Sequence, residues 1–301
     1  MQEYQIYKMS DYSNHQIDEI NMLEQQCKIF DKSSLRVGIE SLKEVDGDEA
    51  YLCQIEDQLI GFLSWYTSDG TEANINAMVH PEYRRYGVFQ GLLKSAVSEM
   101  EIKGIQTCRF RIPSNSEAGI DCIRHMGGSY SQSQFSMTLN QILDTSLGFT
   151  SGMLRLAEEL DLEFLVECHS QAFGESEFWS RKYLTHTSRE PARKTYIAMD
   201  GLTLVGMIRV NFVDTKTAVI HDFCVLPALQ GKGYGREILT QVVKLLLSQE
   251  CSQIRLSVVT ENSRALSLYQ SIGFDISAES HYYVISMNKL YEDKEKDQVI
   301  N

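Results

Sequence analysis

No two of the seven cysteines form a C-x-x-C pair, and their number is odd and their placement scattered. That excludes a disulfide framework and a zinc-ribbon spacing, and leads us to expect no metal; it points to the reduced, mostly buried thiols of a cytoplasmic protein. Positive charge is also short. The formal net charge is -13, which sets nucleic acid aside as a partner, because affinity for a phosphate backbone needs a basic surface. Acidity suits a cationic acceptor such as an amine, and solubility alone accounts for it equally well. No apolar run approaches the length of a membrane span, and the opening "MQEYQIYKMSD" has neither a basic end nor an apolar core. Neither a membrane partner nor a secretory leader is therefore expected. What remains is a globular composition, 43% hydrophobic and 23% charged, on 301 residues, long enough for two domains with ordinary cores.

The chain repeats itself. "MVHPEYRRYGVFQGLL" (Met78 to Leu93) matches "CVLPALQGKGYGREIL" (Cys224 to Leu239), with Val79 and Val225, Pro81 and Pro227, and Gly87 and Gly233 each 146 positions apart. Upstream, "DQLIGFLSWY" resembles "LTLVGMIRVN", where Gly61 and Gly206 are 145 apart; downstream, Asn115 and Asn262 are 147 apart. Only four prolines occur in the chain, and two occupy this matched place. Such a drift fits two copies of one fold with small loop changes. We expect a first domain over 1–145, a second over 152–290, a junction around Leu143 to Gly152, and a charged, solvated tail over 291–301.

Each copy has the same local order, of the α/β class. In the second, "KTYIAMD" and "LTLVGMIRVNF" flank Asp200-Gly201, a strong hairpin signal. "TAVIHDFCV" reads as a third strand, and the glycine loop follows. Ile238, Leu239, Val242, Val243 and Leu246 then recur at helical spacing. "IRLSVV" alternates as a half-buried strand, "SRALSLYQSIGF" is a short helix ended by Gly273, and "HYYVISM" is a final strand. The opening "LRLAEELDLEFLVECHSQAF" reads as helical, and the first copy mirrors this order with "QGLLKSAV" and "CRFRIP".

The segment Gln230 to Gly235 alternates glycine with Lys232 and Tyr234. A P-loop needs Ser or Thr after Gly-Lys, and Gly233 stands there; a Rossmann fingerprint needs an acidic residue about 20 positions on, where Arg255 stands. The remaining option is a loop between strand and helix whose successive backbone N–H groups point into one concavity, with the helix N-terminus adding positive character. Such a nest suits a pyrophosphate, and side chains at Gly233 or Gly235 would push the anion away.

On these residues, "V-L-P-A-L-Q-G-K-G-Y-G" followed by "T-E-N-S-R-A-L-S-L-Y-Q-S-I-G-F", the chain resembles the Gcn5-related N-acetyltransferases (GNAT), which bind acetyl-CoA. The resemblance spans nearly the whole chain as two tandem copies, an arrangement similar to that of mycothiol synthase. It implies two GNAT-type domains, each a mixed central sheet flanked by helices. It further implies that Gln230, Gly231, Lys232, Gly233, Tyr234, Gly235 and Arg236 hold the pyrophosphate. Phe223 and Val225 would line the pantetheine arm at a splay in the sheet, and Asn262 would contact the cofactor from the next helix.

Moving an acetyl group from a thioester to an amine requires an ammonium to lose a proton, an oxyanion to be held and a thiolate to be protonated. The Val225 amide would serve the second need, a role worth roughly 3–4 kcal/mol in a dry site. For the third, Tyr269 occupies the position where many family members carry a tyrosine as general acid; a phenol packed under the helix and bonded to backbone is the alternative. For the first, strand alternation places His221 on one face with Phe223 and Val225, where an imidazole suits a base at neutral pH. A structural histidine stays equally open. Asp222 then points to the opposite face, and Cys224, facing away from Val225, is an inert buried thiol.

The first copy departs from the pattern. Phe89 replaces the last small residue of the loop, Arg84 takes the leading position, Cys122 or Ile123 falls where the tyrosine would be, and Ile75 lies opposite His221. We expect the first copy to be degenerate and the second to be the catalytic domain of an acetyl-CoA-dependent acyltransferase acting on a primary amine of a small molecule or peptide. The alternatives are a protein N-terminal acetyltransferase of the ribosomal-protein-alanine type and a non-catalytic CoA-binding scaffold.

Overall fold

A computed structural model describes residues 4–10, 12–33, 49–67, 70–141 and 152–290. Most of the expected junction, residues 143–151, and the expected tail, 291–301, lie outside the described residues. The chain forms two compact units, Met1–Gln134 with Ala278–Asn301, and Phe135–Ser277. The units do not coincide with the two sequence copies, since Ala278–Asn301 closes the second copy yet belongs to the first unit.

In the first unit, β1 (Gln5–Lys8), β2 (Glu49–Ile55), β3 (Gln58–Tyr66) and β4 (Glu72–Val79) pair antiparallel in chain order, and β5 (Thr107–Pro113) joins β4 in parallel. Helix α1 (Asn14–Asp31) buries Ile20 and Leu23 with Leu52 and Phe62 on one sheet face. Helix α2 (Val88–Ile102) buries Leu92, Ala96 and Met100 with Leu63, Trp65 and Ile75 on the other. The opposite allegiance of Phe62 and Leu63 is the two-residue period of a strand covered on both sides. Helix α3 (Glu117–His125) follows β5, and β6 (Ser129–Leu139) begins in this unit.

The second unit repeats this plan. β7 (Gly152–Leu156), β8 (Arg193–Asp200), β9 (Thr203–Phe212) and β10 (Thr217–Val225) pair antiparallel in chain order, and β11 (Gln253–Val259) lies parallel to β10. Helices α4 (Leu162–Phe173) and α5 (Glu177–Thr187) precede β8. Helix α6 (Tyr234–Ser248) follows β10, and α7 (Ser263–Ile272) follows β11. The hairpin at Asp200 closes as expected: Asp200 pairs with Thr203, and Gly201 takes φ +58°. Ile238, Leu239, Val242, Val243 and Leu246 are all buried, the apolar stripe that docks α6 on the sheet. The last strand, β12 (Phe274–Ser286), starts here with buried Phe274; its residues Ser280–Ser286 pair with β5 in the first unit.

One expected helix is shorter than its sequence suggests. "LRL" forms part of β7 on β8, and α4 begins only at Leu162. The Arg155 guanidinium clasps both Asp161 oxygens at 2.6 and 2.7 Å, and Asp161 also accepts from the Glu158 amide at 2.7 Å. Local side-chain bonds of this kind compete with helical ones and hold the segment as a turn.

Candidate active site

Strands β10 and β11 are paired only where Thr217–Val219 faces Gln253–Arg255. β10 continues to Val225 and β11 to Val259, so their edges part beyond that point. The Leu226 amide donates backwards, to Val205 of β9 at 3.0 Å. Alternation along the strand therefore turns the Val225 amide into the gap. β9 must run close to this segment: a Cβ on Gly206 would sit 2.3 Å from the Cys224 carbonyl oxygen.

Just before Val225, β10 carries a bulge. His221 faces Arg209 and Cys224 faces Met207, so Asp222 and Phe223 together oppose one residue of β9. Asp222 takes φ +42°, the left-handed region that side chains with a Cβ seldom enter. The bulge reverses the alternation. Phe223 and Val225 lie with the core under α6 and α7, whereas Cys224 packs with Met207 under α4. His221, paired with Arg209, points to the α4–α5 face. The expectation that His221 shares a face with Phe223 and Val225 is thus corrected, and the extra residue is the reason.

The loop after β10 has the expected form. Gly231 and Gly233 take φ +80° and +93°, and Gly233 opens α6 without a side-chain cap. A Cβ on Gly233 would meet no atom within 4 Å, and one on Gly235 would press Leu268 at 3.3 Å. Gln230 donates its amide to the Pro227 carbonyl, Glu237 donates to Gly233, and among the described residues no acceptor meets the amides of Gly231 to Arg236. The Gln230 side chain reaches back to the Val225 carbonyl at 3.0 Å, fixing loop to strand. Lys232 is exposed, and the Tyr234 hydroxyl donates to Asp200 at 2.7 Å. These unclaimed amides around open space fit the pyrophosphate of a nucleotide-tailed carrier.

Tyr269 of α7 lies beneath this gap, its ring 6.4 Å from Phe223 and 6.3 Å from Phe274. Burial pushes its phenol up to about 12, so it keeps its proton at neutral pH. Among the described residues no hydrogen bond engages its hydroxyl. Asn262 caps α7, its side chain accepting from the Ala265 amide at 3.0 Å, which leaves only its NH2 group for a ligand.

On the α4–α5 face, His221 is open to solvent on one side. The protein around it still lowers its pKa, chiefly by desolvation, with Arg193 and Arg209 adding to the effect and Asp222 and Glu190 opposing it. Behind it lies a network that sequence reasoning missed. Fully buried Arg209 donates to Asp222 at 3.1 Å, Thr195 at 3.1 Å and Thr187 at 2.7 Å. Tyr183 donates to the same Asp222 oxygen at 2.8 Å. One signal was available: the repeat offset drifts from 145 to 146 between Gly206 and Val225, and the bulge is that added residue. Pairing makes Asn76, facing Ser64, the counterpart of His221 facing Arg209, a correction to the expected Ile75. Cys224 lies 3.3 Å from Cys168, both buried, with its thiol raised well above the ordinary range by that contact and by burial. All seven cysteines are free, and among the described residues no cluster could hold a metal.

The first unit has a matching gap between β4 and β5, which pair only from Glu72 to Ile75. Its loop keeps the same backbone, with φ +67° at Arg85 and +80° at Gly87. Here, however, the end of α1 lies across the opening. Asp31 takes both Nη atoms of Arg84 at 2.7 and 2.8 Å, Phe30 meets the Arg84 guanidinium at 5.3 Å, and Asn115 donates to the Lys32 carbonyl at 3.2 Å. Helix α4 of the second unit ends earlier, at a left-handed Gly174, after 12 residues against 18 in α1.

Residues 155–274 match the family described as "Acetyltransferase (GNAT) family". A thialysine N-epsilon-acetyltransferase of Mus musculus is 34% identical over 65 residues, 22% of this chain and 38% of that protein. The chain thus spans little more than a third of the length of that relative. A mycothiol acetyltransferase of Renibacterium salmoninarum is 24% identical over 225 residues, 68% of this chain and 66% of that protein. The crystal structure of a GCN5-related N-acetyltransferase from Sphaerobacter thermophilus superposes with a TM-score of 0.79 at 16% identity, covering 94% of this chain and 96% of that one, which shows a shared fold.

Proposed function

We propose, from the match of residues 155–274 to the GNAT acetyltransferase family, that the second unit moves an acetyl group directly from acetyl-CoA to a primary amine of a small molecule or peptide. The observation that carries this is the parted pair β10 and β11, with the Val225 amide turned into the gap and the unclaimed amides of Gly231 to Arg236 at its mouth. Acetyl-CoA would supply the activated acyl group. The loop amides hold its pyrophosphate, with Lys232 and Arg236 at the rim, while Phe223 and Val225 line the arm. The Val225 N–H donates to the oxygen on which charge develops.

Tyr269 protonates the leaving sulfur. Its hydroxyl has no competing acceptor among the described residues, and burial keeps it protonated. His221, lowered below its ordinary value and on the opposite face of β10, accepts the proton of the incoming ammonium. Carrier and acceptor contacts are thereby separated by the strand that joins them. Asn262 turns its free NH2 toward the carrier, and its carbonyl stays with α7. The first unit, with α1 laid across its opening, takes no carrier. No helix among the described residues is long and apolar enough to cross a membrane, and the seven free thiols suit the cytoplasm.

The test is incubation of the protein with acetyl-CoA and a panel of primary amines, reading free thiol. Release that depends on an amine supports the reading; carrier binding with no thiol release from any amine favours a scaffold. Labelled acetyl-CoA in lysate then separates acceptors, label in protein pointing to N-terminal acetylation and label in metabolites to a small amine.

A further inference from the structure

The two units give an internal control for the bulge in β10. They share a fold, yet β4 pairs with β3 in unbroken register from Asn74 to Val79, whereas β10 shifts between His221 and Cys224. Where the first unit has Ser64 facing Asn76, the second has Arg209 facing His221, followed by Asp222. The bulge therefore accompanies a buried cation and the anion it binds.

The chemistry explains why. Asp222 sits at φ +42°, a conformation costing on the order of 1–3 kcal/mol that persists only where its surroundings enforce it. Its carboxylate is drawn to the α4–α5 side by Arg209 and Tyr183. Arg209 has no exposed side-chain surface and is fixed by Thr195 and Thr187 from β8 and α5, with the Tyr183 ring 5.3 Å away. A buried guanidinium without its carboxylate would be strongly destabilised, so the pair holds Asp222 in place.

We propose, on the acetyl-transfer reading given above, that Arg209 is a positioning residue: its ion pair with Asp222 fixes the bulge that sets the His221 side chain on the face of β10 opposite Phe223 and Val225, just before the Val225 amide turns into the gap. Arg209 touches neither carrier nor acceptor and acts through the backbone of Asp222 and Phe223. It also acts on the charge around His221, which four groups face: Asp222 of β10, Arg209 of β9, Arg193 of β8 and Glu190 just before it.

The test compares Arg209→Met, Arg209→Lys, Asp222→Asn and the double variant Arg209→Met/Asp222→Asn, which buries no unpaired charge and guards against a single variant that fails to fold. Hydrogen exchange over Ile220 to Leu226 should quicken at least tenfold in the double variant, with Ile238 to Val243 of α6 unchanged; unchanged exchange in both segments overturns the proposal whatever the turnover. In acetyl-CoA-dependent thiol release, Arg209→Met should lower kcat at least tenfold with the KM for acetyl-CoA within threefold, and Arg209→Lys should recover part of the loss. The acidic limb of the rate profile should move to higher pH in Arg209→Met, which loses a cation beside His221, and to lower pH in Asp222→Asn, which loses an anion. Limbs that stay fixed or move together overturn it. Should the wild-type protein release no thiol with any amine, the acetyl-transfer reading falls, and hydrogen exchange still decides whether the pair fixes the bulge.

Discussion

The carboxylate of Asp31 closes on both terminal nitrogens of Arg84, at 2.7 and 2.8 Å. Arg84 stands where Gln230 stands in the second unit, and each side chain also binds the carbonyl that ends its strand, Val79 at 3.0 Å and Val225 at 3.0 Å. The two loops are thus built alike, but one has a partner within its own unit. We expect Asp31→Ala to lower the stability of the protein by about 1–3 kcal/mol, the scale for removing one side of a part-buried charged hydrogen-bond pair. Turnover should be unchanged. Denaturant unfolding beside a rate assay checks this, and a fall in kcat would show that the first unit takes part in catalysis.

Tyr269→Phe should lower kcat at least tenfold while acetyl-CoA affinity and thermal stability stay near wild type. The hydroxyl has no hydrogen-bond partner among the described residues, so its removal orphans nothing, and only proton donation is lost. Steady-state kinetics with a parallel melting curve checks it; unaltered turnover would remove Tyr269 from the mechanism.

The pH dependence follows from the lowered pKa of His221. A base works when neutral, so kcat/KM should fall on the acid side with a midpoint below about 6.5, the ordinary histidine value. Buried His169 is lowered too, first by desolvation. For both groups the unfolded chain takes up protons before the folded one. Stability from this source is therefore full above about 6.5 and is lost as pH falls through the lower folded values. A rate profile and melting curves between pH 5 and 8 test both halves, and a His221→Gln variant with the wild-type acidic limb would give the limb to another group.

Much of this was legible in the sequence, where the signal was local. The alternation of Ile254, Leu256 and Val258, the stripe of α6 and the left-handed glycines at 231 and 233 each declare themselves within a few residues. Tyr269 draws notice through its motif, and its role is the proposal made above. What escaped depended on partners far along the chain. Arg155 and Asp161 turned an expected helix into strand and turn. Arg209 and Asp222, 13 residues apart on neighbouring strands, made a bulge that strand alternation could not foresee, and it moved His221 to the other face. The end of α1 over the first unit's opening joins Asp31 to Arg84, 53 positions away, with no periodic trace. For Asn262 the resemblance implied only a cofactor contact, and the cap its carbonyl makes on the Ala265 amide at the start of α7 comes from the fold.

The central claim is that the backbone between Gly231 and Arg236 holds the anionic end of an acyl carrier, and that the first unit does not. Calorimetric titration of acetyl-CoA into the wild-type protein and into Gly233→Arg tests it most directly. We predict one binding event per chain in the wild type and none in the variant, which should still melt cooperatively, at a lower midpoint because Gly233 holds φ +93°, since a Cβ there meets no atom within 4 Å. No heat in the wild type, two sites per chain, or binding that survives Gly233→Arg would contradict the account.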